Sequence, residues 1–236
     1  MDDSAVVARP RRRYIPFTLL AVLVVASAIA VWASVDSGPK SAIGPEGVLV
    51  FSVPDLAPAD TTVSGAPVDA VTCQTQAQEV VKYHIHVYLS IYVNGRQTRV
   101  PAGVGITLPS SIQHFASGLY YDVGLSNCLY WIHTHVSDGV IHVEAPHKMS
   151  FNLGQFFDVW GQPLSATQVG PNRGAVVVFE NGRPIVGDPR LTPLSPHGVI
   201  QIDVGTPVVA FHPVTFKVTG GCGQGTFGCA SGPKKK

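Results

Sequence analysis

The chain is organised around residues 131–144, which read Trp131-Ile132-His133-Thr134-His135-Val136-Ser137-Asp138-Gly139-Val140-Ile141-His142-Val143-Glu144. Apolar and polar residues alternate on both sides of Asp138-Gly139, a pair that is typical of a two-residue hairpin turn. The stretch therefore predicts a β-hairpin with this pair at its tip. In that register four chemically active residues pair across the strands, His135 with His142 and His133 with Glu144.

The side chains of this hairpin divide into two sets, because successive side chains on a strand point to opposite faces. Three imidazoles and one carboxylate fall on one face, where cross-strand partners lie about 4.5–5.5 Å apart at Cβ. The other face carries residues that can enter a core, namely Thr134, Val136, Ile141 and Val143. One face of the hairpin thus predicts a cradle for a metal ion.

Residues 82–95 predict a second strand whose side chains divide in the same way. His84, His86 and Tyr88 share one face. The other face carries only apolar side chains, those of Ile85, Val87, Leu89, Ile91 and Val93. Asn94-Gly95 is another hairpin turn signal, and residues 96–100 are the predicted return strand.

Five histidines and one glutamate occupy matched alternate positions in these strands: His84, His86, His133, His135, His142 and Glu144. Nine histidines in a chain with only 13% charged residues are its one compositional outlier of chemical interest. Imidazole and carboxylate donors suit a divalent transition metal, among them Zn, Cu, Fe, Ni and Mn. We therefore predict a metal site, with copper or zinc as the favoured ion.

The pairs His84/His86 and His133/His135 are the predicted core of this site. His142 and Glu144 are then additional ligands, or groups that orient the ligands. Glu144 is also the candidate general base if the metal activates a water molecule. The alternative is that all six are half-buried polar residues on an exposed sheet face that holds no metal.

The rest of the sequence predicts a mainly β fold, a sandwich or a partly closed barrel with one short helix. Apolar runs predict strands at 48–51, 175–180, 199–205 and 208–218, the last interrupted by Pro213. Helical spacing of apolar residues predicts the helix, which ends at Gly161 and Pro163. Its aromatic side chains are expected to fill the core rather than to bind a cofactor: Phe156, Phe157 and Trp160, together with Leu153.

The N-terminus predicts a single transmembrane helix ahead of this domain. A basic tail at residues 1–13 precedes an uncharged run at 14–35, which as a helix of about 30 Å can cross a bilayer. The arginines favour a cytoplasmic N-terminus and an extracytoplasmic main domain at the cell membrane. A cleaved signal peptide is the alternative, since Val31-Trp32-Ala33 resembles a small-residue cleavage site. The domain is exported in either case.

Composition divides the remainder into a Pro-rich linker at 36–70, the β domain at 71–220 and a Gly/Cys/Lys tail at 221–236. Four cysteines agree with an oxidising compartment. Cys222 and Cys229 are expected to close a small loop in the tail, which leaves Cys73 and Cys128 as the other disulfide. Sequence alone permits three connectivities. Thiolate ligation of a metal is the alternative, although no Cys-x-x-Cys occurs.

Several function classes lack their sequence signatures. A net charge of +1 gives no support for nucleic-acid binding, and no Gly-x-Ser-x-Gly, phosphate loop or dinucleotide fingerprint occurs. Cupins follow their His-x-His with a glutamate four or five residues later, and no glutamate stands at those positions here. The remaining histidines rank lower, as loop candidates or as structural or exposed residues: His114, His147, His197 and His212.

Four motifs within residues 80–205 together resemble a group of uncharacterised, membrane-anchored or lipoprotein-like extracytoplasmic proteins of bacteria and archaea. The motifs are His84-Ile85-His86, residues 100–106, residues 131–135 with 139–144, and residues 153–161. The resemblance implies a defined extracytoplasmic module. It implies no reaction, because that group has no established activity.

The sequence therefore predicts a membrane-anchored extracytoplasmic protein that captures, senses or delivers copper or zinc. One alternative is a metal-dependent hydrolase or oxidase, and another is a cell-envelope interaction module whose histidine face holds no metal. A pocket with an open coordination position would favour the enzyme, and a shallow exposed cluster would favour capture. A closed four-ligand site would make the metal structural.

Overall fold

The computed structural model describes residues 40–59, 64–108, 110–124 and 127–219. Their elements, in chain order, are β1 (Ser41–Ile43), β2 (Leu49–Phe51), β3 (Cys73–Thr75), β4 (Tyr83–Val93), β5 (Arg96–Thr98), β6 (Ser111–Phe115), β7 (Gly118–Asp122), β8 (Cys128–Tyr130), β9 (Ile132–His133), β10 (Val140–Ala145), α1 (Leu153–Trp160), β11 (Leu164–Ser165), β12 (Gln168–Val169), β13 (Asn172–Arg173), β14 (Val176–Glu180), β15 (Arg183–Pro184), a 3-10 helix (Pro189–Leu191) and β16 (Val199–Val204). The prediction of a mainly β fold with one short helix is confirmed.

The largest sheet has seven strands in the order β15-β14-β16-β4-β10-β9, with β5 paired to the far end of β4. β4 and β16 run parallel, whereas β10 is antiparallel to both β4 and β9. Among the described residues the strands form open sheets and no closed barrel. The long strand β4 and its neighbour β10 therefore form the frame on which the histidines are placed.

One face of β4 and β10 forms the main core, as predicted. Asn94 and Gly95 close the β4–β5 hairpin with positive φ angles of 49° and 75°, as a two-residue turn of this kind requires. α1 covers the core face of the sheet with its aromatic side chains. The buried residues that meet there include Val87, Leu89, Ile91, Ile141, Val143, Phe156, Phe157 and Trp160.

Helix α1 forms where the apolar spacing predicts it and has a defined residue at each end. At its start Asn152 Oδ1 accepts a hydrogen bond from Gln155 N, and Gln155 Oε1 accepts one from Asn152 N, which is a capping box. At its end Gly161 takes the left-handed conformation with φ 68°. The predicted helix and its C-terminal stop are confirmed.

The register of the central hairpin differs from the predicted one. His133 on β9 lies opposite His142, not opposite Glu144. Strand β9 ends at His133. The residue opposite Glu144 is instead His84, on β4. The shift between β9 and β10 is two residues, and because side chains alternate with a period of two, the residues of β9 and β10 keep their predicted faces.

The hairpin is shortened because the backbone of Thr134 bonds to a neighbouring loop instead of to β10. Thr134 N donates to Val104 O at 3.0 Å, and Thr134 O accepts from Gly103 N at 2.9 Å. The Thr134 hydroxyl donates to Pro101 O at 2.8 Å. Residues 134–139 therefore form a longer connection than the two-residue turn that Asp138-Gly139 predicted.

Most of the histidine face of the sheet is covered, although His84 at one end of β4 is exposed. Tyr88 lies on this face, where Val48, Val140 and Val199 are buried with it. Residues 208–218 pack on the same cluster but form no strand, so that prediction is wrong. Their backbone bonds to side chains of β16 instead: Val209 N donates to Asp203 Oδ1 at 2.8 Å, and His212 N donates to Gln201 Oε1 at 2.9 Å.

A disulfide joins Cys73 on β3 to Cys128 on β8, which confirms one of the two predicted pairs. Cys222 and Cys229 lie outside the described residues, as do the basic tail at 1–13 and the predicted anchor at 14–35. Within the part of the chain that is described, no helix combines the length and the apolar character that a membrane crossing requires. The predicted linker overlaps β1 and β2, which pair as a hairpin.

Candidate metal centre

The structure brings together all six residues of the predicted metal site, in two groups that share His142. We call His133, His135, His142 and Glu144 the inner group, and His84, His86 and His142 the outer group. Within each group one potential ligand atom per residue lies within 4.8 Å of all the others. The four histidines that the sequence favoured as the core of one site are thus divided between the two groups, and His142 connects them.

His142 owes this position to the sheet. It stands on β10 between β4 and β9, directly opposite His86 on one side and His133 on the other. Glu144 follows two residues later on the same face, opposite His84. Alternation along three adjacent strands therefore places all of these side chains on one surface, while His135 reaches it from the loop after β9.

The inner group contains two imidazoles that face each other. His133 Nδ1 lies 2.8 Å from Tyr130 O, and His135 Nδ1 lies 2.6 Å from Tyr121 O. A carbonyl oxygen only accepts, so both Nδ1 atoms carry the proton and both Nε2 atoms of the neutral rings present lone pairs. These two Nε2 atoms lie 3.0 Å apart inside the protein.

The protonation of both residues follows from their surroundings. Burial lowers the pKa of His133 well below its ordinary value, and the neighbouring His135 lowers it further. Burial, followed by the charge of His142, also lowers the pKa of His135. Both imidazoles are therefore neutral near pH 7, which is the form that binds a metal.

His142 has a different environment, because a buried glutamate is its hydrogen-bond partner. His142 Nε2 donates to Glu46 Oε1 at 3.0 Å, whereas His142 Nδ1 is buried without a hydrogen-bond partner and lies 3.8 Å from Glu144 Oε1. Burial alone would lower the pKa of His142, but Glu46 and Glu144 outweigh it and raise this pKa to about 10. A carboxylate that accepts from one ring nitrogen commonly orients a metal-binding histidine. The Nδ1 proton of His142 must leave before that nitrogen can bind a metal.

Glu46 was missed by the sequence analysis. It lies in the turn between β1 and β2, inside the predicted linker, and its exposed fraction is 0%. Burial would raise its pKa, but the charge and hydrogen bond of His142 lower it. Its neighbours in the sequence are Pro45 and Gly47, so the local pattern predicts only a turn and offers no signal for a buried functional group.

The outer group lies closer to solvent. His84 Nε2 pairs with Glu144 Oε1 at 3.0 Å, and the exposed fractions of these two side chains are 32% and 13%. His86 Nε2 is buried and has no hydrogen-bond partner. Burial, with the charges of His142 and His84, lowers the pKa of His86 to about 3. His86 therefore also presents a neutral imidazole nitrogen at pH 7.

Further polar side chains surround the centre. Tyr120 on β7 stacks on the His135 ring, with 4.3 Å between ring centroids and 13° between the planes. Burial, then the Glu46 charge, raises the pKa of the Asp138 carboxyl well above its ordinary value. Burial and the charge of Glu144 raise the pKa of Glu79 to about 7.

The other four histidines lie outside both groups. His114 and His147 are exposed. His212 Nδ1 lies 3.2 Å from the Tyr92 hydroxyl, and His197 has a positive φ of 58° at the turn before β16. These four residues take no part in the candidate centre.

The inner group offers three imidazole nitrogens from buried side chains and one carboxylate oxygen from the partly buried Glu144, all close to one another. Such a set can hold a four-coordinate transition-metal ion. Comparison with known proteins adds no assignment, since the chain matches no family model, no curated protein and no solved structure. The function is therefore inferred from the chemistry of the site.

Proposed function

We propose that this protein binds a divalent transition-metal ion, Zn²⁺ or Cu²⁺, through His133, His135, His142 and Glu144. The observation that carries the proposal is the pair of Nε2 lone pairs that face each other 3.0 Å apart, with both Nδ1 protons fixed by backbone carbonyls. Two lone pairs at that distance repel unless a cation lies between them. Ligands of a tetrahedral zinc ion are separated by about 3.3 Å, given bonds of about 2.0–2.1 Å.

The donor set suits Zn²⁺ and does not suit Cu(I). Both groups contain only nitrogen and oxygen donors. Cu(I) prefers the soft sulfur of cysteine or methionine, but Cys73 and Cys128 form a disulfide and Met149 packs against the main core. Three imidazoles, of which His142 loses a proton when it binds the ion, and one carboxylate suit both Zn²⁺ and Cu²⁺, and Cu²⁺ binds such donors more tightly.

Burial of the inner group favours retention of an ion over turnover of a substrate. The exposed fractions of His133, His135 and His142 are 0%, 5% and 4%. A catalytic zinc needs an open coordination position that a substrate can reach. We therefore propose that the domain captures and holds the ion for storage, sensing or delivery. The Cys73–Cys128 disulfide and the apolar run at 14–35 support its placement at the outer face of a membrane.

The test is the metal content of the purified full-length chain, measured after incubation with Zn²⁺ or Cu²⁺ and removal of unbound ion. The wild type is expected to retain close to one Zn²⁺ per chain. A His133→Ala, His135→Ala double variant is expected to lose it, whereas a His114→Ala, His147→Ala double variant, which removes two exposed imidazoles, retains it. Equal metal contents in the two double variants, or none in the wild type, contradict the proposal.

A second variant covers the case in which the alanine substitutions unfold the chain. Glu144→Gln keeps the size of the side chain and removes the charge that contacts His84 and His142. It is expected to weaken zinc binding about 10–100-fold without loss of the fold. Far-UV circular dichroism reports the fold, and competition with a coloured chelator reports the affinity.

A further inference from the structure

Both groups need His142 as a ligand, so they share one imidazole ring. Glu46 Oε1 accepts the Nε2 proton of His142, so Nδ1 is the nitrogen that remains for a metal. An imidazole nitrogen has one lone pair and binds one ion at a time. If His142 uses Nδ1 in both groups, the groups are alternative positions of one ion and not two independent sites.

These two positions differ in their access to solvent. The outer group contains His84, which is exposed, and His86, which is partly buried. The inner group contains His133 and His135, which are buried. Glu144 belongs to the inner group but contacts His84 at 3.0 Å, so it lies at the boundary between the two. The potential ligands thus form a continuous series from the exposed His84 to the buried His133 and His135.

We propose that the outer group captures the ion and passes it to the inner group by ligand exchange, while His142 stays bound throughout. This inference rests on the proposed function. The incoming ion first displaces the Nδ1 proton of His142, which leaves to solvent. The bonds from the metal to His84 and His86 then break as bonds to His133, His135 and Glu144 form, and the charge of the ion does not change. Release of His84 from Glu144 when His84 binds the incoming ion frees the carboxylate that the inner position needs.

The test is the rate at which Co²⁺ binds to the full-length chain, followed by stopped-flow absorbance. Co²⁺ occupies zinc sites and has visible ligand-field bands that Zn²⁺ lacks. The His84→Ala, His86→Ala double variant is expected to bind Co²⁺ about tenfold or more slowly, because it lacks the group that concentrates the ion beside the centre. Its final spectrum and its one ion per chain are expected to match the wild type.

Two further variants make the result specific. His147→Ala removes an exposed imidazole outside both groups and is expected to leave the rate unchanged. The His133→Ala, His135→Ala double variant is expected to keep a fast but weak binding phase at the outer group. If the His84→Ala, His86→Ala double variant binds at the wild-type rate, the transfer route is wrong although the inner centre stands. If the wild type itself binds no Co²⁺ or Zn²⁺, the proposed function fails as well.

Discussion

His142 and Glu46 lie 96 positions apart in the chain and meet inside the protein, where Nε2 donates to Oε1 at 3.0 Å. This hydrogen bond holds the ring so that Nδ1 is left beside Glu144, between the two histidine pairs. The β1–β2 turn thereby contributes to a centre whose other residues lie on β4, β9, β10 and the loop that follows β9. Because Glu46 is charged and buried, it also controls the protonation of His142.

Metal binding is expected to release one proton per ion at about pH 8. This pH lies below the His142 pKa of about 10 and above the Glu79 pKa of about 7. His142 is then protonated in the metal-free chain, whereas His133 and His135 are neutral because their pKa values are lowered. Affinity should therefore rise about tenfold per pH unit up to about pH 10. Calorimetry in buffers of different ionisation enthalpy measures the proton count, and a count of zero or of three would be incompatible with this assignment.

Glu46→Gln is expected to abolish most of that proton release. The variant removes the larger of the two carboxylate charges that raise the pKa of His142, so this pKa moves down toward its ordinary range and more of the ring is already neutral at about pH 8. NMR titration of the His142 ring gives the pKa, and the same calorimetry gives the proton count. Glu180→Gln is the matched control, because Glu180 lies on β14, two strands away from β4. An unchanged proton count in Glu46→Gln would show that Glu46 does not set the protonation of His142.

Zinc is expected to stabilise the folded chain. An ion that binds only the folded state adds about 2.7 kcal/mol to the free energy of unfolding at a free concentration of about 100 times the Kd. The wild type should therefore show a Tm that rises with Zn²⁺ and falls again with a chelator. The His133→Ala, His135→Ala double variant should show a Tm that Zn²⁺ does not change. Thermal unfolding followed by circular dichroism provides the test, and equal zinc-induced shifts in both proteins would argue against the inner centre.

Gly105→Ala is expected to weaken metal binding although Gly105 is not a ligand. A Cβ at this position would lie 2.6 Å from Ile132 O and 3.1 Å from the Cβ of His133, at a φ of +75°. The clash moves β9 and displaces His133, so a loss of affinity of about 10–100-fold is expected. The backbone strain also costs about 1–3 kcal/mol of stability.

The matched control for that variant is Gly187→Ala. Gly187 also has a positive φ, of +113°, but a Cβ there meets nothing within 4 Å. This variant should lose stability through backbone strain while its zinc affinity stays at the wild-type value. Chelator competition measures the affinities and chemical denaturation measures the stabilities. Equal affinity losses in the two variants would mean that strain alone, and not the position of His133, is responsible.

Local sequence patterns predicted the elements that follow regular periodicity. The alternation in β4, the Asn94-Gly95 turn and the apolar spacing of α1 all led to the correct structure. The assignment of side chains to the histidine face also survived the wrong register of the central hairpin. It survived because the shift was two residues, and an odd shift would have moved His133 to the core face.

The features that sequence could not predict depend on contacts between distant segments. The short length of β9 results from the bonds of Thr134 to the loop at residues 101–104. Residues 208–218 form no strand because their backbone groups hydrogen-bond to the side chains of Gln201 and Asp203 instead of to another strand. Glu46 is buried where its turn meets His142. None of these contacts leaves a trace in local periodicity.

The most direct test of the metal centre is a crystal structure of the zinc-loaded full-length chain, with anomalous diffraction data collected on both sides of the zinc absorption edge. We expect one strong anomalous peak at about 2.0–2.1 Å from His133 Nε2, His135 Nε2, His142 Nδ1 and a Glu144 oxygen. An anomalous peak at another position would contradict metal binding at the inner group. So would the absence of a peak between these four side chains when they lie where the present structure places them.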